Sequence, residues 1–118
     1  MNRTERHLFL VRHGATDENV AQPYRLQGQR VDPPLNELGR RQAERTAELL
    51  RDRPIRHAFS SPLRRAVETA TIIVAAHGLE VSRVEELIEC DVGRWEGLSW
   101  AEVRRRDPEA FGRFMADP

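Results

Sequence analysis

His7-Leu8-Phe9-Leu10-Val11-Arg12-His13-Gly14 is a short apolar run of strand formers that breaks at a polar triplet closed by glycine. Such a pattern predicts a buried strand ending in a functional loop. Ala15 to Pro34 follows with Pro23, Gly28, Pro33 and Pro34 and no regular apolar period, so it reads as a long loop of the kind used for binding. Asn36 then precedes Leu38, Ala43, Ala47, Leu49 and Leu50 at near-helical spacing, which predicts a capped helix running to about Arg53, with Pro54 as its stop. Ile55 to Phe59 is a second strand candidate. Ser60-Ser61-Pro62 supplies capping hydroxyls and an early proline for a helix from Leu63 to Ala76, terminated at Gly78. His77-Gly78 is read as the C-terminal cap of that helix. Glu80 to Val84 alternates as a third strand, and Ser99 opens a last helix that reaches about Arg106, before Pro108.

The order strand, loop, helix, strand, helix, strand, helix predicts an α/β fold with a mainly parallel sheet. In such sheets ligands lie at the carboxyl ends of the strands, which is where Arg12-His13-Gly14 and Ser60-Ser61 both fall.

Composition narrows the function classes. The 118 residues suit a single domain spanning 1–118, with 39% apolar and 32% charged residues as in a globular protein. No apolar stretch approaches the roughly 20 residues of a membrane span, and the N-terminal segment lacks a signal-peptide core, so the expectation is a cytoplasmic protein with no membrane partner. Cys90 is the sole cysteine and the four histidines are scattered, so neither a metal site nor a cofactor is expected. All 19 basic residues are arginine, balanced by 19 acids that interleave with them, which argues against nucleic acid as a partner.

Phosphoryl transfer without a metal requires a nucleophile, fixed cations for the phosphate oxygens and an acid for the departing oxygen. A neutral imidazole can attack phosphorus with one nitrogen while the other donates to an acceptor that fixes the tautomer, and an adjacent glycine admits the substrate closely. His13 and Gly14 fit those roles. Arginine grips phosphate with a planar fork that stays charged, and Arg12 and Arg65 are the candidates.

Leu-Val-Arg-His-Gly-Ala-Thr-Asp-Glu-Asn at 10–19 is followed by Leu-Asn-Glu-Leu-Gly-Arg-Arg-Gln-Ala at 35–43. Ser-Ser-Pro-Leu-Arg-Arg-Ala-Val-Glu-Thr-Ala at 60–70 and Glu-Cys-Asp-Val-Gly-Arg-Trp-Glu-Gly-Leu at 89–98 complete the series. These four blocks, in this order, resemble the histidine phosphatase superfamily, also called phosphoglycerate-mutase-like, from about His7 to Trp100. The resemblance implies a three-layer α/β/α architecture. It implies a phosphohistidine on His13, phosphate binding by Arg12 and Arg65, an amide contact from Asn19, a closing loop at Gln27-Gly28 and a hydroxyl from Thr16. Glu89 matches the family's proton donor, whose carboxyl bound phosphate should raise toward neutrality.

Blander roles compete for the same residues. Arg65 could pair with Glu68 or Glu44 on a helix surface, Asn19 could be a turn former, and Glu86 or Asp91 could replace Glu89. Arg64 is read as a surface residue, Trp95 and Trp100 as packing residues, and Cys90 as a small buried one.

The family carries a second active-site histidine on a later strand-His-Gly element, which this sequence does not contain, since His7, His57 and His77 align elsewhere. The resemblance therefore implies that the chain is an N-terminal portion of the fold, with the C-terminal part absent. By itself such a portion is expected to be weakly active and prone to associate, so a homo-oligomer is one expected outcome. Val92-Gly93-Arg94-Trp95-Glu96-Gly97 resembles the phosphatase branch rather than the mutases, which favours hydrolysis of a small phosphorylated metabolite. The alternatives are mutase-type phosphoryl transfer and a non-catalytic phosphate-ligand binder.

Overall fold

Two helices carry the fold, and their local sequence explains both. In the computed structural model, which describes residues 5–118, helix α1 spans Asp17–Val20 and helix α2 spans Glu37–Leu50. The Asn36 side chain accepts from the Gly39 amide at 2.9 Å and so caps α2, as its position predicts. Gly39, Ala43 and Leu50 form the buried stripe of α2. Strand β1 is Ala58–Ser60, helix α3 is Arg64–Val74, and strand β2 is Val81–Arg83. The α3 stripe is Arg65, Thr69 and Ile73, spaced by four, so a cation occupies the first position of a row that ends in the core. A 3-10 turn, Ala75–His77, ends at Gly78, whose φ of 66° lies in the left-handed region that favours glycine. His77 Nε2 lies 3.2 Å from the Leu50 carbonyl and ties this end of α3 to the end of α2.

β1 and β2 pair in parallel with Ala58 opposite Val81 and Ser60 opposite Arg83, the geometry expected of a βαβ crossover through α3. Leu50, Ile73 and Val74 form the centre of the core, with Ile55, Ala58, Leu79 and Val81 packed around them. The protein is therefore of the α/β class. Helices α4 (Trp100–Arg106) and α5 (Pro108–Ala116) form a second unit around an aromatic cluster of Trp95, Trp100, Phe111 and Phe114. Ser99 caps α4 through a capping box with Glu102. No helix among the described residues is long and apolar enough to cross a membrane.

Three expectations are corrected here. Leu8 to Val11 forms no strand and lies in no ladder among the described residues, and Leu8 and Leu10 are 81% and 87% exposed rather than buried. A strand is buried only when it has neighbours on its edges and a layer on each face. Here only one side is covered, with the Arg53 guanidinium 5.2 Å from the Phe9 ring. The loop from Ala15 contains the helical turn α1. Cys90 is exposed, because the segment carrying it runs over the surface beside the cleft described below.

Candidate active site

The Arg12-His13-Gly14 triplet is sewn between the first turns of α2 and the early part of α3. The Gly14 amide donates to Thr69 Oγ1 at 2.9 Å, the Ala15 amide donates to Gln42 Oε1 at 2.8 Å, and the Ala15 carbonyl accepts from the Asn36 amide at 3.0 Å. The crossing is close enough to demand glycine on both sides. A Cβ on Gly14 would lie 2.5 Å from the Gly39 carbonyl oxygen, and one on Gly39 would lie 2.1 Å from that of Ala15. Glycine at 14 thus serves the packing of the His13 loop on α2.

His13 is half-buried. Its Nδ1 lies 2.7 Å from the Gly14 carbonyl oxygen, and because a carbonyl only accepts, Nδ1 carries the proton. Nε2 is left with the lone pair. Burial is the largest influence on the ring and lowers its pKa; the hydrogen bond to Gly14 opposes this, while Arg65 and Arg12 add to the lowering. The imidazole is thus held neutral to lower pH than an ordinary histidine.

A cleft of about 690 Å³ opens beside it and is bordered by Arg12, His13, Asn19, Gln27, Arg65 and Glu89. Six of the eight residues singled out in the sequence therefore meet in one place. Arg65 is 2% exposed, and its guanidinium donates to the carbonyls of Val31 and Gly28, each at 3.0 Å. It forms no salt bridge among the described residues, so neither Glu68 nor Glu44 holds it. Burial lowers its pKa most, with Glu89, Asp32 and Glu96 acting in the opposite sense from a distance. A guanidinium held this way costs free energy until an anion joins it. Arg12 borders the same cleft and is exposed. Arg64 is also exposed and lies outside the cleft lining, as expected of a surface residue.

Thr16 and Gly28 do not border the cleft. Thr16 is fully buried; its hydroxyl donates to Gln27 Oε1 at 2.8 Å, and its amide donates to Asn19 Oδ1 at 2.9 Å. Both amide side chains thus spend their oxygens on Thr16, which leaves their NH2 groups as donors. Thr16 orients two cleft residues from beneath, a role that spacing alone did not show. Gly28 is buried behind Arg65 and accepts its hydrogen bond, and a Cβ there would come within 3.0 Å of Val92 and Glu96.

Glu89 is exposed at the cleft edge, and its Oε1 accepts from the Cys90 amide at 2.8 Å. That hydrogen bond is the main cause lowering its pKa; partial burial opposes it, and Arg65 and His13 lower it further. In the protein alone the carboxyl therefore shifts down, opposite to the direction expected with phosphate bound, chiefly because the Cys90 amide favours its charged form. Gln42 and Thr69, which hold the His13 loop, and Glu96, which binds three amides of the loop behind Arg65, were not singled out in the sequence. Gln42 and Thr69 lie in two of the four motif blocks, at helical positions facing the loop, and that placement was the only hint.

The sequence profile of the histidine phosphatase superfamily (branch 1) matches residues 8–118. The chain belongs to this superfamily. It is 43% identical over 111 residues to a glucosyl-3-phosphoglycerate phosphatase of Mycobacterium tuberculosis, covering 94% of this chain and 47% of that protein. A metal-independent phosphoserine phosphatase of Arabidopsis thaliana is 41% identical over 112 residues, covering 92% of this chain and 45% of that protein. Among solved structures, a mycobacterial glucosyl-3-phosphoglycerate phosphatase complexed with VO3 superposes with a TM-score of 0.76 at 42% identity, covering 87% of this chain and 49% of that one. The chain spans about half the length, or less, of the curated relatives it matches. The α/β arrangement of this chain is thus that of solved histidine phosphatases.

One consequence of the cleft electrostatics is measurable directly. An NMR titration of the His13 imidazole is expected to give a midpoint below the ordinary histidine value of 6.5, with the ring neutral above that midpoint and charged below it. Arg65→Ala removes one of the causes lowering the midpoint and is expected to move it upward, in part only, because burial is the larger cause. A midpoint at or above the ordinary value in the unaltered protein would contradict the placement of the ring.

Proposed function

We propose that the protein hydrolyses a small phosphomonoester through a phosphohistidine on His13. The observation that carries this reading is the pairing, in one cleft, of a neutral imidazole whose Nε2 keeps its lone pair with a buried guanidinium whose partners among the described residues are backbone carbonyls. In the first step Nε2 attacks phosphorus as the bond to the ester oxygen breaks, and Glu89 gives that oxygen its proton. In the second step Glu89 takes a proton from water as the water oxygen attacks phosphorus. The N–P bond breaks, inorganic phosphate leaves, and His13 is neutral again.

Arg65 and Arg12 supply the positive charge for the non-bridging oxygens, and the Asn19 and Gln27 amides supply donors. Neither step calls on a metal ion for charge, so a chelator is expected to leave turnover unchanged. A bound phosphate dianion also accounts for the Glu89 carboxyl in the acid form. Its negative charge opposes the Cys90 hydrogen bond and the Arg65 charge that depress that carboxyl in the protein alone, and so favours its proton. The relatives named above act, by their names, on phosphoserine and on glucosyl-3-phosphoglycerate, which supports a small phosphorylated substrate and hydrolysis over mutase chemistry.

The acid role is tested by leaving group. Glu89→Gln is expected to slow hydrolysis of an alkyl phosphate by roughly a hundredfold or more, the usual scale of general-acid catalysis, while an activated aryl phosphate slows far less. Equal slowing of both substrates by the intact variant would assign the proton to another group.

A further inference from the structure

Glu96 follows Trp95 in a tight turn whose position is set from several sides. The Trp95 indole donates to Asp107 Oδ2 at 3.0 Å and its ring lies within the aromatic cluster. The next two residues bond back across the loop: the Gly97 amide donates to the Leu26 carbonyl at 2.8 Å, and the Leu26 amide donates to the Leu98 carbonyl at 2.9 Å. From this anchored turn the Glu96 side chain, only 7% exposed, reaches the loop behind Arg65. One carboxylate oxygen, Oε1, accepts from the backbone amides of Gly28 at 3.2 Å, Arg30 at 2.9 Å and Val31 at 2.7 Å. The other, Oε2, accepts from the Arg30 side chain at 3.2 Å.

Gly28 and Val31 are the two residues whose carbonyls hold the Arg65 guanidinium. The same two peptide segments therefore point their N–H groups at one carboxylate and their C=O groups at one guanidinium. Nothing else among the described hydrogen bonds collects three amides of this loop. Burial by itself would raise the Glu96 carboxyl, but the amides of Val31 and Arg30, with the Arg30 side chain and Gly28, outweigh it and keep the carboxylate charged.

We propose that Glu96 is a positioning residue for the phosphate grip: its carboxylate sets the Gly28–Val31 loop, and that loop sets the Arg65 fork. The inference rests on the reading of Arg65 as the phosphate cation. It assigns Glu96 no contact with substrate. Loss of the carboxylate leaves three amides without their acceptor, so the loop relaxes and the two carbonyls no longer fix the fork at one angle. A bidentate grip is sensitive to that angle, so binding of the phosphate group weakens.

A double-mutant cycle on the intact protein separates positioning from general loop stability, with inorganic phosphate as the probe and its dissociation constant as the readout. With Arg65 present, Glu96→Ala is expected to weaken phosphate binding by about tenfold, the scale of coupling between residues in one network. In an Arg65→Ala background the same change is expected to alter it by less than about twofold, because there is no fork left to misplace. Glu96→Gln keeps one acceptor oxygen for the amides and is expected to fall between the parent and Glu96→Ala, with the same disappearance in the Arg65→Ala background. If Glu96→Ala does not fold, the Gln pair decides by the same criterion. Equal factors in both backgrounds, or undiminished phosphate binding in folded Glu96 variants, would overturn the inference. Unchanged binding in Arg65→Ala alone would instead overturn the reading of Arg65.

Discussion

His13→Ala in the intact protein is expected to lower kcat by roughly ten-thousandfold or more, the scale on which enzymes lose turnover when a covalent nucleophile is removed. The protein should remain folded, because the residues that brace the loop are its neighbours: Gly14 on Thr69, Ala15 on Gln42 and Gly14 against Gly39. Among the described residues the imidazole itself contributes one hydrogen bond, and that bond is to the adjacent residue. Binding of inorganic phosphate should fall far less than turnover, since Arg12, Arg65 and the two amides remain. Single-turnover rates set beside phosphate affinity check both halves of this expectation. A variant that keeps most of its turnover would remove His13 from the chemistry.

Arg65→Ala should weaken phosphate binding and lower kcat by about a hundredfold or more, the usual cost of removing one preorganised donor from a transition state. Arg64→Ala, one residue away on the exposed face of α3, should change either quantity by no more than a few-fold. The contrast follows from where the helix directs the two side chains. Arg65 heads the buried row continued by Thr69 and Ile73, whereas Arg64 faces solvent. Steady-state kinetics of the two variants against one phosphomonoester make the comparison, and equal, small effects would contradict the burial of Arg65 against a ligand site. Some structural cost accompanies Arg65→Ala, because the Gly28 and Val31 carbonyls lose their donor. A shorter cation does not restore the grip, since lysine cannot bridge two carbonyls and a phosphate with one planar group.

Much of this arrangement was legible in the sequence, for reasons that are local. Asn36, Ser99 and Gly78 mark helix ends because each satisfies groups within a turn of itself, and the structure places a cap at all three. The apolar period of α2 and the order of strands and helices depend on neighbours a few residues apart, so the parallel pair β1–β2 was also foreseeable. The motif blocks pointed to Arg12, His13, Asn19, Arg65 and Glu89, the family resemblance added Gln27 in the loop between two of them, and one cleft brings all six together.

What was not legible depends on distant partners. The Leu8–Val11 run carries every local mark of a buried strand, yet whether it is covered is decided by residues far along the chain, and its exposure contradicts the local reading. The helix opened by Ser99 is not the last one, although the sequence pattern predicts it to be: a proline also suits the first position of a helix, and α5 begins at Pro108. Thr16 stands in the first motif block and Gly28 in the loop that follows it, but both lie on the far side of the residues they serve, because motif spacing reports adjacency to a site and not direction. The bracing by Glu96 was missed for the same reason: its partners lie 65 to 68 positions earlier in the chain.

The central claim is covalent chemistry at one nitrogen. Because Nδ1 carries the proton that bonds to the Gly14 carbonyl, phosphorylation must occur at Nε2. The intact protein should be quenched under alkaline, acid-sparing conditions while turning over an activated aryl phosphate. The modified residue and the ring nitrogen can then be identified by mass spectrometry and phosphorus NMR. Phosphate on Nε2 of His13 is the predicted result. Phosphate on Nδ1, on another residue, or on no residue at all in an enzyme captured at steady state would contradict it.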